Sequence, residues 1–581
     1  MAGTGGDYHA FDVPASGPTS NSRSARGCSG ALISFIAACS SFASIALFAY
    51  ASGAGDTEQT SRTQFQAWLV SHQAYASTVD EVLLKGEVQW KPPPHNTSHE
   101  RCAWVVDIMT TRDSSKSYDM RHNKYTSQSN DANTFFRATA KIFWQDFVNH
   151  GWGNFDLEEL GGTANALADG SPLERKSTWT WITGDQHLSN FGAWRNRHGD
   201  VVFDVNDFDE SAIYDFQIDI WRLAVSIRNH ALTNGIKPGD ADNLVMFFCD
   251  EYVRKLQEYV GNEQALLFEI TQSVATGLLQ QFLNGVLNQQ SAHKQLSKFT
   301  EVDEKLGERR LVKSTATQLE EVSSDVEKEV RRAFGPLNYG ATLSMIGWRA
   351  KAWNDDFFRV LDVARRVGGG IGSYGVPRYY VLLAGEDTVG PGGSNEGGKG
   401  GIILDVKFEP HDSAYVSVLE PQDLAWYKNI FLNDAMRAVE AQRRLTSYTD
   451  PFAGWVLIGG KAHVVRQLSP WKKGFPFDSL RTYDDLAEFV SQIAVITATS
   501  HARGTYAKSP AQFKEVIAAV LGRYPAHKTW GASVAQVAEA YREQVLIDFK
   551  CFKEFVNRNY TMPVKHPEHP NAGAAQTDPD D

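Results

Sequence analysis

The chain has 581 residues, of which 42% are hydrophobic and 12% aromatic, and its formal net charge is -12. This composition is ample for a packed core and excludes an intrinsically disordered protein. The acidic balance and the lack of a long basic run argue against a general nucleic-acid binder. The length allows one large domain or two to three average ones.

The N-terminal region predicts a membrane or export signal. Residues 1–30 are rich in Gly, Ser and Ala and are predicted to be disordered. Residues 31–51 contain an uncharged run from Ala31 to Tyr50 that is about long enough to span a bilayer. Arginines precede the run and acidic residues follow it, which predicts a single-pass anchor with the remainder lumenal or extracellular. Ala49-Tyr50-Ala51 resembles a signal-peptidase site, so secretion after cleavage stays open, while polar flanks disfavour a buried core helix.

The cysteines do not predict a disulfide-framed fold, and the three outside the apolar run have no metal-ligand spacing. Two lie in or beside the apolar run, and the others can form at most one disulfide: Cys102, Cys249 and Cys551. The sequons at Asn96 and Asn559 are compatible with a lumenal or external location, although such sequons also arise by chance.

Periodicity and turn residues predict the elements of the first half of the chain. Residues 52–119 are predicted to be helical or linker, with helical spacing over 62–86. A helix is predicted from Asn133 to His150, then strands W-T-W-I-T and V-V-F-D-V around a loop. An amphipathic helix is predicted from Phe216 to Asn229, and residues 241–335 are predicted to be long helices with a charged face between Glu301 and Arg332.

Helical character is predicted to continue to Arg366. Two strands follow, V-P-R-Y-Y-V-L-L and I-I-L-D-V-K-F, separated by a Gly-rich hairpin insertion. Helices are predicted at Gln422 to Tyr448 and from Asp484 to Asn557, and residues 561–581 are predicted to be a disordered acidic tail.

The first chemical motif is T-G-D-Q-H-L-S-N-F (183–191) followed by V-V-F-D-V-N-D-F-D-E (201–210). Phosphoryl transfer needs a carboxylate near the acceptor and oxygen ligands for Mg²⁺. Asp185 and Asn190 lie five residues apart, a spacing that one loop can supply, and a short strand then delivers Asp207. Asp204 and Asp209 are alternative metal ligands. Asp207 is favoured because it lies where the strand ends, and Asp209 is the second candidate.

Two parts of this motif have a structural alternative. The acidic loop, Asn206 to Glu210, can instead cap helices and turns. His187 is a candidate catalytic residue, or a loop histidine that orients the backbone.

The second motif is a G-x-G-x-x-G run with Gly370, Gly372, Ser373 and Gly375. A dinucleotide-binding loop of this type follows a strand and opens a helix. Here a helix-like R-V-L-D-V-A-R-R precedes and a β-rich segment follows, which disfavours an oxidoreductase and favours a strand-turn-strand phosphate clamp. A plain flexible loop is the alternative.

Lys407 lies in the hydrophobic strand L-D-V-K-F, where a lysine is costly unless it meets a carboxylate or phosphate. Glu440, in the helix M-R-A-V-E-A-Q-R-R, is the expected partner, the alternative being a solvated helix glutamate.

Together these motifs resemble the domain of unknown function family 2252, a largely bacterial group of kinase-like proteins, over roughly residues 120 to 510. Further segments carry the resemblance: F-F-R-A-T-A-K-I-F-W, A-V-E-A-Q-R, V-V-R-Q-L and S-H-A-R. The likeness to aminoglycoside phosphotransferases and protein kinases implies Asp185 as base, Asn190 and Asp207 as metal ligands, and Lys407 with Glu440 at the phosphates. It also implies that Asp219 braces the catalytic loop. Thr183 departs from the pattern, which has His there.

The resemblance implies an α+β, two-lobed, protein-kinase-like fold over residues 120–560. The regions are catalytic and metal loops (183–210), a helical region (211–366), a nucleotide-binding lobe (367–470) and C-terminal helices (478–560). The catalytic motifs precede the glycine loop, the reverse of the kinase order, so a circular permutation is expected. The expected function is ATP- and Mg²⁺-dependent phosphoryl transfer to an unknown protein, sugar or small molecule. An inactive nucleotide-binding scaffold and a nucleotidyl (adenylyl) transferase are the alternatives.

Overall fold

The structure is a computed structural model, and it describes residues 97–157, 174, 176–305, 307–343, 355–368, 376–385, 401–410, 413–505 and 512–561. The N-terminal apolar run, the periodic segment 62–86, the glycines from Gly370 to Gly375, the Gly-rich insertion and the C-terminal tail lie outside the described residues. Within the described residues, no helix has the length and apolar character needed to cross a membrane.

Four helices begin the described chain: α1 (Ser98–Thr111), α2 (Tyr118–Gln128), α3 (Ala132–Arg137) and α4 (Ala140–Trp144), which runs into a π-helical turn (Gln145–Asn149). A capping box between Thr97 and Glu100 starts α1. The prediction of one continuous helix from Asn133 to His150 is therefore wrong, because the helix is interrupted at Ala138 and Thr139. The Thr139 hydroxyl donates to the Phe136 carbonyl at 2.8 Å, and such a local bond competes with helical continuation.

The next elements are β1 (Trp179–Ile182), β2 (Phe191–Arg195), β3 (Val201–Val205), β4 (Ala212–Asp215), α5 (Gln217–Thr233), α6 (Pro238–Tyr259), β5 (Ile270–Thr271), α7 (Gly277–Gln289) and α8 (Ala292–Phe299). Short 3-10 turns lie at Leu188–Asn190 and Gln264–Leu266. The strands predicted from W-T-W-I-T and V-V-F-D-V are confirmed. The predicted helix after Phe216 is present, but it is buried almost all round rather than amphipathic.

The prediction of long helices over residues 241–335 is wrong for residues 300–320, where strands form. A hairpin, β6 (Thr300–Asp303) with β7 (Glu308–Leu311), is followed by β8 (Leu319–Glu320), α9 (Ser324–Ala333), α10 (Tyr339–Thr342) and a 3-10 turn (Asp355–Phe358). Gly307 has a φ of 66°, a left-handed conformation that suits glycine and closes the hairpin. The charged residues of this segment therefore belong partly to an exposed hairpin.

The helix predicted to reach Arg366 is also wrong at its end, where β9 (Val360–Arg366) forms instead. It belongs to a six-stranded sheet with β10 (Arg378–Leu383), β11 (Ile402–Phe408), β12 (Gly454–Ile458) and β13 (Lys461–Gln467), in the order β12-β13-β11-β10-β9-β8. Both strands predicted on either side of the Gly-rich insertion are confirmed. The glycine segment thus joins two antiparallel neighbours, β9 and β10, so a strand does precede it. A strand, rather than a helix, follows it.

Both faces of this sheet are covered, which explains why its strands read as continuous apolar runs. Val381 and Leu383 pack on one side with residues of α9 and α10, whereas Tyr380 and Leu382 pack on the other with residues of α8 and β7. The alternation of neighbours along β10 is the two-residue period of a strand.

The remaining elements are α11 (Pro421–Ile430), α12 (Asp434–Leu445), β14 (Lys473–Gly474), α13 (Tyr483–Arg503), α14 (Phe513–Leu521) and α15 (Ala526–Asn559), with 3-10 turns at Ala414–Ser417 and Phe477–Ser479. The predicted helix from Gln422 to Tyr448 is divided in two. Asn433 starts the second part by accepting the Met436 N–H at 2.8 Å. The described residues thus form a mixed α+β fold, with a second sheet in the order β14-β2-β3-β5.

A disulfide joins Cys102 of α1 to Cys551 of α15, and Cys249 is free and buried. The prediction of at most one disulfide among the three cysteines is confirmed. The disulfide attaches residues 98–111 to the C-terminal helix, so the packed body begins before residue 119.

Candidate functional site

One face of α5 holds the loop between β1 and β2. Asp219 accepts the Thr183 N–H at 2.8 Å, the Thr183 hydroxyl at 2.9 Å and the Gly184 N–H at 2.8 Å. Two turns later, Ser226 accepts the Leu188 N–H at 3.1 Å. Residues at this helical spacing share a face, so one stripe of α5 fixes the loop at both ends. The hydroxyl of Thr183, where the kinase-like pattern has His, takes part in this bracing.

The same stripe holds Asp185 through Arg222. Arg222 is completely buried, forms an ion pair with Asp185 and donates to the Phe136 carbonyl at 2.8 Å. Burial raises the pKa of Asp185 to about 7; Arg222 opposes the shift, and the neighbouring acidic loop adds to it. The Asp185 side chain keeps 18% of its surface exposed. It is therefore a positioned carboxyl group that can take up or release a proton near neutral pH.

Gly184 brings the two loops of the first motif together. Its φ is 73°, and a Cβ at this position would lie 2.1 Å from the Glu210 carbonyl oxygen. Trp144 donates its indole N–H to the Gly184 carbonyl at 2.6 Å on the other side. Because only glycine avoids both the strained φ and the overlap, this residue fixes the distance between the Asp185 loop and the acidic loop.

The donor set fits Mg²⁺, which prefers oxygen ligands and usually takes one or two carboxylates plus phosphate oxygens and water. Asn190 donates its amide nitrogen to the Asp185 carbonyl at 2.7 Å, which leaves its carbonyl oxygen as a possible ligand. Asp207 accepts a long backbone bond from Asp209 at 3.3 Å. Both line the same cavity as Asp209. Among the described residues, no three or more His, Cys, Asp or Glu side chains form a complete metal cage.

Asp204, the third metal candidate, lies elsewhere. It is buried within β3, and its carboxylate is 3.6 Å from the Arg503 guanidinium. Burial raises the pKa of Asp204 to about 6. Asp207 and Asp209 line the cavity at the exit of the strand, so the geometry brings those two to the site and leaves Asp204 in the core.

A row of cations lies on one face of the six-stranded sheet. Arg378 of β10 is directly opposite Lys407 of β11, and Asp405 of β11 is opposite Arg466 of β13. Arg378 makes two bonds to Asp405, at 2.6 and 2.7 Å, and Arg466 approaches the same carboxylate at 3.4 Å. Burial opposes ionisation of Asp405, yet the two arginines hold its pKa well below its usual range. On these strands, Asp405 therefore neutralises part of the charge of three neighbouring cations, Arg378, Lys407 and Arg466.

This cationic face meets the acidic loop directly. Lys407 forms an ion pair with Asp209, and Arg466 donates to the Asn206 carbonyl at 3.3 Å. Glu440, the partner expected for Lys407, instead accepts from Arg444 at 2.7 Å. No Lys407–Glu440 contact occurs among the described side chains, so the predicted pair is replaced by Lys407–Asp209. Arg444 lies one helical turn after Glu440, so the two side chains meet along the surface of the same helix.

Residues of the first motif and residues of the six-stranded sheet, distant from each other in the sequence, line one cavity of about 130 Å³. Its walls come from the Asp185 loop, the acidic loop, the sheet and two further arginines: Thr183, Asp185, His187, Asn190, Asn206, Asp207, Asp209, Glu210, Arg378, Lys407, Glu409, Arg466, Lys472, Arg112 and Arg137. Of the predicted site residues, Asp185, His187, Asn190, Asp207, Asp209 and Lys407 converge there. Gly370, Gly372, Ser373 and Gly375 are outside the described residues.

A family model described as an uncharacterized protein conserved in bacteria (DUF2252) matches residues 119–555. The chain belongs to the DUF2252 family. No curated protein and no solved structure matches it. The match runs about 45 residues beyond the stretch that carried the sequence resemblance, and it includes every described residue of the Asp185 loop, the acidic loop and the cationic sheet face.

His187 is present at the DUF2252 site but is not a titrating base near neutral pH. It is 3% exposed, and its Nε2 lies 3.8 Å from the Asp185 carboxylate. Burial, followed by the nearby charge of Arg137, lowers the pKa of His187 well below its usual value. A neutral imidazole at this position can donate one hydrogen bond and accept another, but it carries no positive charge.

Sequence reasoning missed Arg437, which links α12 to the acidic loop. Arg437 is completely buried; it donates to the Asp209 carbonyl at 2.7 Å and the Ser413 hydroxyl at 3.0 Å, and it also bonds the Ser211 carbonyl. The signal was present in the sequence: an arginine one turn before Glu440, in a helix whose flanking positions are small and apolar. A charged side chain buried at such a position must be hydrogen-bonded or paired with an opposite charge.

Glu409 was also missed. It lies two residues after Lys407, is 4% exposed, and lines the cavity. One of its carboxyl oxygens is 3.9 Å from Arg437, and the other has no hydrogen-bond partner among the described residues. Burial raises the pKa of Glu409 to about 8. Residues two apart on a strand share a face, so the sequence position of Glu409 relative to Lys407 already indicated that both side chains face the same way.

Proposed function

We propose that this DUF2252 protein is an ATP- and Mg²⁺-dependent phosphotransferase of kinase-like fold. The observation that supports this most is the Lys407–Asp209 ion pair, which joins the cationic sheet face to the acidic loop in the cavity that also holds Asp185. Phosphoryl transfer is catalysed mainly by positioning and charge stabilisation, and it uses a lysine, carboxylate metal ligands and an orienting aspartate.

In this proposal the cations of the sheet bind the phosphates of the nucleotide. Lys407, Arg378 and Arg466 share one face, and guanidinium and ammonium groups bind phosphate oxygens with charge-assisted hydrogen bonds. Lys407 would exchange its bond to Asp209 for one to phosphate. That exchange frees the Asp209 carboxylate at the same time. The pair thus keeps both groups satisfied until the nucleotide arrives.

Asn190, Asp207 and Asp209 would hold the metal. Mg²⁺ would supply neutralisation of the charge that the phosphate oxygens bring into the cavity. Arg437 fixes the backbone of the acidic loop, so the carboxylates do not have to be ordered when the nucleotide binds.

Asp185 would orient the acceptor hydroxyl and take its proton. Arg222 holds one of its oxygens, and the exposed part of the side chain faces the cavity. The fixed loop matters because a positioned carboxylate loses little entropy when the acceptor binds. The neutral His187 beside it would serve as a hydrogen-bonding neighbour.

The order of the elements supports a permuted kinase-like arrangement. The strand β9, the glycine segment, β10, the Lys407 strand β11 and the helix α12 follow one another as the glycine loop, the lysine strand and the glutamate helix do in kinases. The catalytic and acidic loops come before this series in the chain. A permutation of this kind is compatible with domain termini that lie near one another at the surface.

We further propose that the catalytic domain faces the lumen or the exterior on an N-terminal anchor, or is secreted after cleavage. The apolar run from Ala31 to Tyr50 supports this location. The disulfide between Cys102 and Cys551 supports it independently, because such bonds persist in oxidising compartments.

Incubation of the full-length protein with γ-labelled ATP, Mg²⁺ and an extract of the producing cells tests the proposal. Asp185→Asn keeps the shape of the residue and removes its charge, so we expect loss of labelled product. Asp325→Asn is the matched control, since Asp325 is 90% exposed on α9. Equal labelling by the wild type and Asp185→Asn would contradict the catalytic assignment. A product labelled from α-labelled but not γ-labelled ATP would indicate adenylyl transfer instead.

A further inference from the structure

We infer that Glu409 is a positioning residue: when a nucleotide and its metal occupy the cavity, its carboxylate receives the Lys407 ammonium that Asp209 releases. The inference rests on the proposed phosphotransferase function and concerns the same cavity, which Lys407 and Glu409 both line. In the unliganded protein Lys407 pairs with Asp209. An ammonium group has more N–H donors than one phosphate contact uses, so Lys407 needs a second acceptor once Asp209 binds the metal.

The backbone places Glu409 on the same side of the sheet as Lys407. Glu409 directly follows β11, and its N–H donates to the Ala462 carbonyl of β13 at 2.9 Å. This bond continues the antiparallel ladder, in which the preceding residue, Phe408, is opposite His463. Because side chains alternate along an extended strand, Lys407 and Glu409 project from the same face. The flexible stem of a lysine can reach a carboxylate two residues further along that face.

One guanidinium group lies between Glu409 and the present partner of Lys407. The Nη2 atom of Arg437 donates to the Asp209 carbonyl at 2.7 Å and is 3.9 Å from a carboxyl oxygen of Glu409. Burial raises the pKa of Glu409, and the charge of Lys407 is the largest of the influences that oppose this shift. Lys407 is therefore near both carboxylates. The change of partner is a movement of the lysine side chain, with the acidic loop and the strand kept in place.

Glu409 has an oxygen available for the new bond. That oxygen has no hydrogen-bond partner among the described residues, and the whole residue is 4% exposed. A buried carboxyl oxygen without a partner is costly, and a bond from Lys407 would satisfy it. The approaching ammonium would also favour the ionised form of the carboxyl group, which burial disfavours.

The other acidic side chains near the cavity already have partners. These pairs are Asp185 with Arg222, Asp405 with Arg378, Glu210 with the Ala414 N–H, and Glu440 with Arg444. Glu440 is the competing glutamate, because one of its oxygens is also without a partner among the described residues. It lies on α12, however, whereas Glu409 shares the strand face of Lys407.

The first test is a double-mutant cycle, measured by calorimetric titration of the full-length protein with a non-hydrolysable ATP analogue and Mg²⁺. The proteins are the wild type, Glu409→Gln, Lys407→Met and the double variant. Glutamine keeps the shape of the carboxyl group and its ability to form hydrogen bonds, while it removes the charge. Glu554→Gln is the matched control, since Glu554 is 52% exposed on α15.

We expect Glu409→Gln to weaken binding of the analogue by about threefold to tenfold, because a charge-assisted hydrogen bond becomes a neutral one. In the Lys407→Met background the same replacement should have no effect, since Glu409 acts through Lys407. A glutamate that only shaped the cavity would weaken binding in both backgrounds. Glu554→Gln should bind as the wild type does. Wild-type affinity in Glu409→Gln, or a loss that persists in the Lys407→Met background, would overturn the inference.

A crystal structure of the wild type with the analogue and Mg²⁺ gives a second readout, which does not depend on how the variants fold. We expect the Lys407 ammonium at hydrogen-bond distance, about 3 Å, from the Glu409 carboxylate and no longer at Asp209. Lys407 still at Asp209, or paired with Glu440, would contradict the inference. Failure of the analogue to bind the wild type would instead overturn the proposed function, and the inference with it.

Discussion

Lys407 on the six-stranded sheet and Asp209 on the acidic loop form an ion pair across the two halves of the site. The two residues are separated by 198 positions in the chain, so the contact exists only in the folded protein. Their side chains are 16% and 31% exposed, which leaves both groups accessible to a ligand. Under the proposed function, a nucleotide and its metal would replace this contact without any loss of bonding.

Arg437→Lys should weaken the acidic loop while it keeps the charge. The shorter, unforked ammonium cannot reach all the oxygens that the guanidinium bonds, and each unsatisfied buried carbonyl costs about 1–3 kcal/mol. We expect a lower free energy of unfolding and weaker Mg²⁺-dependent ATP binding, measured by urea denaturation and calorimetry. Arg444→Lys, at a position 40% exposed on the same helix, is the control and should change neither. Wild-type behaviour of Arg437→Lys would mean that the loop does not depend on this residue.

Gly184→Ala should be far more damaging than Gly235→Ala. Both glycines have positive φ, 73° and 87°, but a Cβ at Gly235 would meet nothing within 4 Å, whereas one at Gly184 would overlap the Glu210 carbonyl. The control therefore reports only the cost of the backbone conformation, about 1 kcal/mol. We expect Gly184→Ala to cost several times more in the free energy of unfolding, as seen by thermal denaturation. Equal costs would indicate that the two loops do not touch.

Some of this site could be predicted from the sequence because its signals are local. The strand V-V-F-D-V, the lysine strand and the motif residues Asp185, Asn190 and Asp207 each depend on neighbours within about ten residues. The family resemblance then related the two distant motifs to one site.

The remainder depended on contacts that are distant in the sequence. Residues 359–366 contain leucine, alanine and arginines, which favour a helix. They form a strand instead because they pair with β10. The need of Lys407 for a partner was predictable, but the choice of Asp209 over Glu440 depends on how the acidic loop packs on the sheet. Arg437 and Glu409 acquire roles only because the same packing buries them beside that loop.

Stability should fall as pH rises through the titration of Glu269. Burial, followed by the charge of Asp204, raises the pKa of Glu269 from 4.5 to about 7, although Asn196 and Arg503 oppose the shift. The folded state thus binds the proton more tightly than the unfolded state. The stabilisation is complete below pH 4.5 and is lost between about pH 4.5 and 7.

Glu269→Gln should remove this part of the pH dependence, because glutamine does not titrate. In urea denaturation at pH 5 and pH 8, the wild type should lose more stability over this interval than the variant does. Glu554→Gln, at a site 52% exposed, should behave as the wild type. The same pH dependence in Glu269→Gln and the wild type would show that Glu269 is not buried in this way.

Loss of the disulfide should destabilise the protein. Cys102 and Cys551 are 449 residues apart, and a bond that closes a long loop restricts the unfolded chain most. Removal of a native disulfide typically costs about 2–5 kcal/mol. We expect Cys102→Ser with Cys551→Ser, or addition of reductant, to lower the melting temperature, and Cys249→Ser to leave the effect of reductant unchanged. A melting temperature that does not respond to reductant would contradict the presence of the bond.

The most direct test of the account is a calorimetric titration of the full-length protein with ATP and Mg²⁺, repeated with Lys407→Met and with Lys328→Met as the control. Lys328 is 71% exposed on α9, away from the cavity, so the control loses a surface charge only. The account predicts one Mg²⁺-dependent ATP site in the wild type, unchanged in Lys328→Met and weakened about tenfold or more in Lys407→Met. Wild-type ATP affinity in Lys407→Met, or binding of NAD in place of ATP, would contradict it.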